Sequence, residues 1–314
     1  MAAPNGPGVE LSQGPDAALL AEIESLMLVA RHAAQGALAG MHRSRKRGAS
    51  IEFSEHKVYT PGDDVRHIDW RAYAKTDRFH VKQFEDETNL RIELMVDHSG
   101  SMAFQSEARD PEHPDAQVMS KLQYAKTLAA ALSYLALRQG DSTGLFTFAS
   151  DVTDELPARS SSTHLMEVLT RLARVVPADT TGIVRAIDHF AKRQRRRTVA
   201  FVMSDLFDPD PDLMSAFRRL AARRHDVSVL HLLDSAELEF PYDNPSVFES
   251  MEDDRRLFVH PRTLRTTFVA EMRAFVDRTA RAMSEAGIDY RLVDTRRPPA
   301  RVLGELLRSR EARR

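Results

Sequence analysis

Val199-Ala200-Phe201-Val202-Met203 is apolar at every position. Side chains alternate in direction along a strand, so such a run is tolerated only where both faces are covered. That is the middle of a parallel sheet with helices packed on each side. The chain from Leu90 onward fits the same plan. Leu90, Ile92, Leu94 and Val96 alternate, and further strands are predicted at 143–148, 152–156, 227–233 and 288–293. Between them, helical periodicity is read at 117–138, 162–174, 183–193, 211–223, 265–286 and 300–310. The first of these carries the stripe Leu122, Ala125, Leu128, Ala129, Leu132 and Leu135 and is stopped by Gly140. The fold class is α/β: a mostly parallel, Rossmann-like sheet flanked by helices, with a small N-terminal α+β module.

That module precedes residue 90. Residues 1–15, rich in Pro, Gly and Ala, read as a flexible leader. Leu19, Ile23, Leu26, Met27, Ala30, Ala34 and Leu38 follow a helical period over 16–38. A basic run, His42 to Arg47, comes next, and then a mixed segment broken by Pro61-Gly62, a strong turn signal. The expected division is therefore leader 1–15, module 16–89 and main domain 90–314. Within the main domain, 234–261 breaks the alternation. Val247-Phe248 and Leu257-Phe258-Val259 flank a polar stretch there, which predicts a hairpin.

The chain has 314 residues, 42% hydrophobic and 29% charged, and a net charge of -2. That balance fits a globular protein and lacks the basic excess of a dedicated nucleic-acid binder. With no cysteine, disulfides, thiolate zinc sites and cysteine nucleophiles are excluded. Any metal must be held by oxygen or imidazole. The N-terminus does not read as a signal peptide, and no stretch approaches the ~20 apolar residues of a membrane helix. A cytoplasmic location is expected.

In open α/β sheets, ligands gather beyond the carboxyl ends of the strands, where the strand order reverses. Three polar clusters fall at such ends: Asp97-x-Ser99-x-Ser101, the run 179–182 with Thr180 and Thr181, and Ser204-Asp205. Each alone is explained equally well by a turn or a helix cap. Together they form a hard oxygen site suited to magnesium first, with manganese or calcium as alternatives. His98, in the same loop, is expected to face solvent.

Asp97-x-Ser99-x-Ser101, Thr181 with Ala186-Ile187, and Phe201 to Asp205 resemble the metal-ion-dependent adhesion site of von Willebrand factor A domains. The resemblance implies a von Willebrand factor A-like fold. It also implies that Ser99, Ser101 and Thr181 touch the cation while Asp97 and Asp205 act largely through water. Thr180 is a rival to Thr181; the spacing to Ala186 favours Thr181.

Tyr59-x-Pro61-Gly62-Asp63-Asp64-x-Arg66-x-Ile68-Asp69-Trp70, with Lys82-x-Phe84-Glu85, is the second notable feature. Physically, it reads as a turn in which Arg66 pairs with a nearby aspartate and Trp70, the single tryptophan, is an anchor in a core. Together with Asp97-x-Ser-x-Ser, it resembles the bacterial family called domain of unknown function 58, over about 43–310. Members of that family have a von Willebrand factor A domain and are typically encoded near MoxR-type AAA+ ATPases. The resemblance therefore implies a non-enzymatic, metal-dependent protein-binding module, an adaptor or co-chaperone whose partner supplies an acidic residue to the metal. Many relatives carry N-terminal transmembrane helices, and this chain shows no such stretch. The loop 103–116 is long enough to cover or extend the metal face.

Two rival readings concern other residues. Asp63, Asp64, Asp69 and Glu85 could form a two-metal phosphohydrolase or nuclease site. No phosphate-cradling glycine loop or Gly-x-Ser-x-Gly elbow accompanies them. The basic runs 42–47 and 194–197 lack interleaved aromatic residues and read as solvated faces.

Overall fold

The computed structural model describes residues 17–45, 57–58, 80–81, 90–107, 118–161, 163–178 and 180–311. The chain divides into two compact units. One takes in helix α1 (Ala17–Arg45) as far as Ala39, together with everything from Leu90; the other is Gly40–Asn89. The division differs from the one expected from sequence, because α1 joins the main domain. Its buried face, Ile23, Leu26, Ala30, Ala33, Ala34 and Ala37, belongs to the main core. In the second unit, β1 (Lys57–Val58) pairs antiparallel with β2 (His80–Val81). The Tyr59 to Trp70 motif, Asp63, Asp64, Asp69 and Glu85 lie outside the described residues, as does the expected leader.

The main domain carries a six-stranded sheet. Its strands are β3 (Arg91–Asp97), β4 (Ser142–Phe148), β5 (Val152–Arg159), β6 (Val199–Ser204), β7 (Asp226–Leu233) and β10 (Asp289–Asp294), in the order β10-β7-β6-β3-β4-β5. All neighbours are parallel except β5, which returns antiparallel beside β4. The sheet is thus mixed α/β and mostly parallel, as the apolar run at 199–203 requires. Every residue of β6 is buried.

Alternation along the strands splits the core in two. Leu94, Val96, Phe201 and Met203 point to one face. There they meet α1, α2 (Lys121–Arg138), α3 (His164–Arg174) and α8 (Pro299–Glu311). Met95, Ala200 and Val202 point to the other, against α4 (Ile183–Arg193), α5 (Leu213–Ala222) and Met283 of α7 (Pro261–Glu285). Truncating a side chain such as Leu94, fully buried, costs about 2–5 kcal/mol in comparable cores.

Helices α1 and α8 lie close because both present small residues. A Cβ added to Gly36 would stand 3.0 Å from the Ala300 Cβ, and one added to Gly304 would stand 3.5 Å from the Ala37 Cα. The predicted hairpin is present as β8 (Ser246–Glu249) and β9 (Arg256–Val259), but it forms a sheet of its own. Its first strand is fixed by aromatic contacts: Phe240 stacks on Phe248 at 5.6 Å and lies 4.5 Å from Phe268. A short helix not expected from sequence, α6 (Ser235–Glu239), precedes it and is closed by a capping box between Asp234 and Glu237.

Candidate metal centre

The first strand of the sheet, β3, has β4 on one side and β6 on the other. The chain leaves β3 toward β4 and later returns to its opposite flank, so the strand order reverses between β3 and β6. Asp97 ends β3, and Ser204 ends β6. Both stand at the carboxyl edge where a crevice opens.

Asp97 is fully buried and collects three hydrogen bonds. The Ser99 backbone N–H donates to Oδ1 at 2.9 Å; the Thr181 and Ser204 hydroxyls donate to Oδ2 at 3.2 Å and 2.6 Å. The Ser99 and Ser101 hydroxyls lie 3.2 Å apart. The loop is tightened by a 3-10 turn at Gly100–Ala103, which brings both serines to the same side. Thr181 is buried while Thr180 is exposed, so the structure puts Thr181 at the site. Gly182 makes that approach feasible: a Cβ there would fall 2.2 Å from the Ser150 carbonyl oxygen.

Asp205 is fully buried and close enough to Asp97 for their charges to interact. Burial, and then the Asp205 charge, push the Asp97 carboxyl up to about 7, against the pull of Ser204 and Ser99. Asp205 is held from three sides. Its Oδ2 accepts from Lys121 Nζ at 2.8 Å, its Oδ1 accepts from the Phe207 N–H at 3.2 Å, and its carbonyl accepts from His231 Nε2 at 2.8 Å. Burial holds His231 down at about 4, so its ring is neutral, with Nδ1 accepting from the Tyr290 hydroxyl at 2.6 Å. Leu206, the next residue, takes the left-handed backbone at φ 57, and its N–H donates to the Ser204 hydroxyl at 2.9 Å. A branched, buried residue in that conformation is strained and persists because the surrounding contacts enforce it.

All five residues singled out in the sequence therefore gather at one crevice. Sequence reasoning missed three charged neighbours. Lys121, at the first turn of α2, bridges Asp205 and Glu237, the latter at 2.6 Å. Glu237 comes from α6. Glu252, from the tip between β8 and β9, faces Ser101, and its Oε1 is buried with no hydrogen-bond partner. The one available signal was Lys121 itself, since a lysine in the first turn opposes the helix dipole and calls for acids nearby. Among the described residues, no three carboxylates or imidazoles form a cation cage, so a cation here would depend on hydroxyls. The hydroxyl set, the excess of acids over the Lys121 ammonium and the orphaned Glu252 oxygen fit a hard cation.

His98 corrects an expectation. It is buried rather than solvent-facing, with Nδ1 2.8 Å from the Val176 carbonyl and Nε2 2.8 Å from the Thr153 hydroxyl. The strand following β4 and the segment after α3 close over it. Residues 108–117, most of the long loop, lie outside the described residues. Arg195, Arg196 and Arg197 are exposed, as a solvated face would be. Among the described residues no helix is long and apolar enough to cross a membrane.

Uncharacterised proteins of Mycobacterium tuberculosis and Mycobacterium bovis are each 31% identical over 274 residues, 85% of this chain and 82% of the relative. Among solved structures, BatB from Bacteroides thetaiotaomicron is 18% identical, covering 72% of this chain and 100% of that one, with a TM-score of 0.43. An aerotolerance-related membrane protein from Bacteroides fragilis, with multiple mutations to serines, is 18% identical over 70% of this chain and 99% of its own, with a TM-score of 0.41. The family profile described as "Protein of unknown function DUF58" matches residues 55–278, and the chain belongs to that family.

Proposed function

We propose that this crevice is a divalent-cation site of the von Willebrand factor A type, and that the chain uses it to hold a protein partner without catalysing a reaction. One observation carries the reading: Asp97, Ser99, Ser101 and Thr181 are drawn together at the strand ends, with Asp205 beside them. Ser99, Ser101 and Thr181 would be the inner ligands, with Asp97 and Asp205 in support. When bound, magnesium, manganese or calcium supplies an electrophilic position for a carboxylate. The local charge favours a cation: Asp97, Asp205, Glu237 and Glu252 face the single ammonium of Lys121. Hydroxyl ligands leave most of a cation's charge uncompensated, so an acidic side chain of a partner is the complementary group. The resemblance of the Tyr59 to Trp70 motif points to a MoxR-type AAA+ ATPase as that partner, with this chain as its adaptor or co-chaperone in the cytoplasm.

The test is capture of the MoxR-type ATPase from the same genome by wild type and by the Ser99→Ala, Ser101→Ala double variant, each with magnesium and with chelator. The double change removes two ligands and little volume, so the thermal melt should stay nearly the same. Capture only by wild type in magnesium is expected. Capture in all four conditions would make the site irrelevant to the partner.

A further inference from the structure

The β8–β9 tip places an acid at the candidate cation site from within the chain. Its loop is self-contained: the Ser250 N–H donates to the Arg255 carbonyl at 2.9 Å, and the Glu252 and Asp253 N–H groups donate to the Ser250 hydroxyl at 3.3 Å each. Asp253 takes the local arginine, with Arg255 Nε donating to Oδ2 at 2.6 Å. Glu252 does not share that pairing. It turns inward to Ser101, beside the Asp205 carboxylate. Lys121 is close enough to be felt, but its Nζ is bonded to Asp205 and Glu237. Oε1 is left buried with no partner. A half-buried carboxylate with an unpaired oxygen beside a second carboxylate is costly, since an unpaired buried polar atom forfeits its hydration. An exposed orientation was open to Glu252, as the neighbouring Asp253 and Asp254 are exposed. The inward position makes physical sense if a cation lies between Glu252 and the hydroxyls.

We propose that Glu252 is an internal ligand of the cation, taking up the position that a partner's carboxylate must claim. This rests on the cation reading above. It makes the β8–β9 hairpin a tether: joined to the fold by the Phe240, Phe248 and Phe268 cluster along β8 and by the cation at its tip. A partner would displace Glu252 to bind, and so would release the tip.

The experiment uses manganese alone as probe on the full chain, with wild type, Glu252→Gln, Glu252→Ala and Asp97→Ala. Affinity comes from calorimetry, and the number of waters on bound manganese from proton relaxation. Amide exchange over 246–259 reports the tip. The proposal expects both Glu252 variants to bind manganese roughly tenfold more weakly. It also expects them to hold one more water on the metal and to lose the manganese-dependent protection of the hairpin that wild type shows. Equal affinity and equal water number in wild type and both Glu252 variants would overturn it while leaving the cation site intact. No manganese binding by wild type, or equal binding by Asp97→Ala, would overturn the cation reading and this inference with it.

Discussion

The ammonium of Lys121 and the carboxylate of Asp205, 84 positions apart in the chain, meet at 2.8 Å with both side chains fully buried. Burial alone would push the Lys121 ammonium down. Asp205 and Glu237 outweigh burial and hold it above the ordinary lysine range. The Phe207 and Phe104 rings lie under the same nitrogen, at 5.0 Å and 5.9 Å from ring centre to Nζ. The lysine sits at the start of α2, after the Ser120–Gln123 capping box, where the helix dipole disfavours a cation. Its place depends on the two acids. They in turn depend on it.

Lys121→Met should therefore leave Asp205 and Glu237 buried without a counter-charge and lower stability by about 3–5 kcal/mol. Urea denaturation in chelator measures this. Magnesium should restore part of the loss in the variant and do less for wild type, because the freed carboxylates face the candidate cation site. A variant as stable as wild type in chelator would mean the pair contributes no net stability.

Glu93 supplies a pH test away from the site. Burial pushes its carboxyl from 4.5 to about 7, although Arg91 and Gln194 donate to it at 2.8 Å and 2.9 Å. Between those two values the native protein holds a proton that the unfolded chain has released. Stability should thus fall as pH rises through that window. Glu93→Gln keeps the shape and removes the titration. The variant should gain on the order of 1–3 kcal/mol over wild type at pH above 8 and show no advantage below pH 4. Denaturant midpoints across pH decide it; a constant difference at every pH would rule out Glu93 as the titrating group.

The α1–α8 contact gives a third test with opposite signs at two glycines. A methyl at Gly304 meets ordinary contact distances, so Gly304→Ala should stabilise by about 0.5–1 kcal/mol through helix propensity. At Gly36 the neighbour is already at 3.0 Å, so Gly36→Ile should overpack the contact and cost about 1–3 kcal/mol. Thermal melts of the two variants should move in opposite directions.

The sheet and most helices were legible because burial on one or two faces leaves a direct period in the sequence. Asp97, Ser99, Ser101, Thr181 and Asp205 were legible because they stand at ends of buried strands or starts of helices. Lys121, Glu237 and Glu252 were not. They reach the crevice from α2, α6 and a hairpin tip, and no spacing links them to one another. His98 was misread because a loop position after a strand suggests solvent, whereas the cover over it comes from Thr153 and Val176, far along the chain. Helix α1 was assigned by proximity in sequence to the motif segment, while its partners are α2 and α8.

The seating of α1 against α8 also sets an order of events at the ribosome. Helix α1 ends at Arg45, whereas α8, with Ala300 and Gly304, begins only at Pro299 and is made well after it. At about 5–20 residues per second, the wait between them is on the order of tens of seconds. During that time Ile23, Leu26, Ala30 and Ala34 have no finished site to enter, even after α2 has emerged. The nascent chain must therefore carry an apolar helix in search of a partner until α8 emerges, which makes that stretch the natural foothold for a ribosome-bound chaperone.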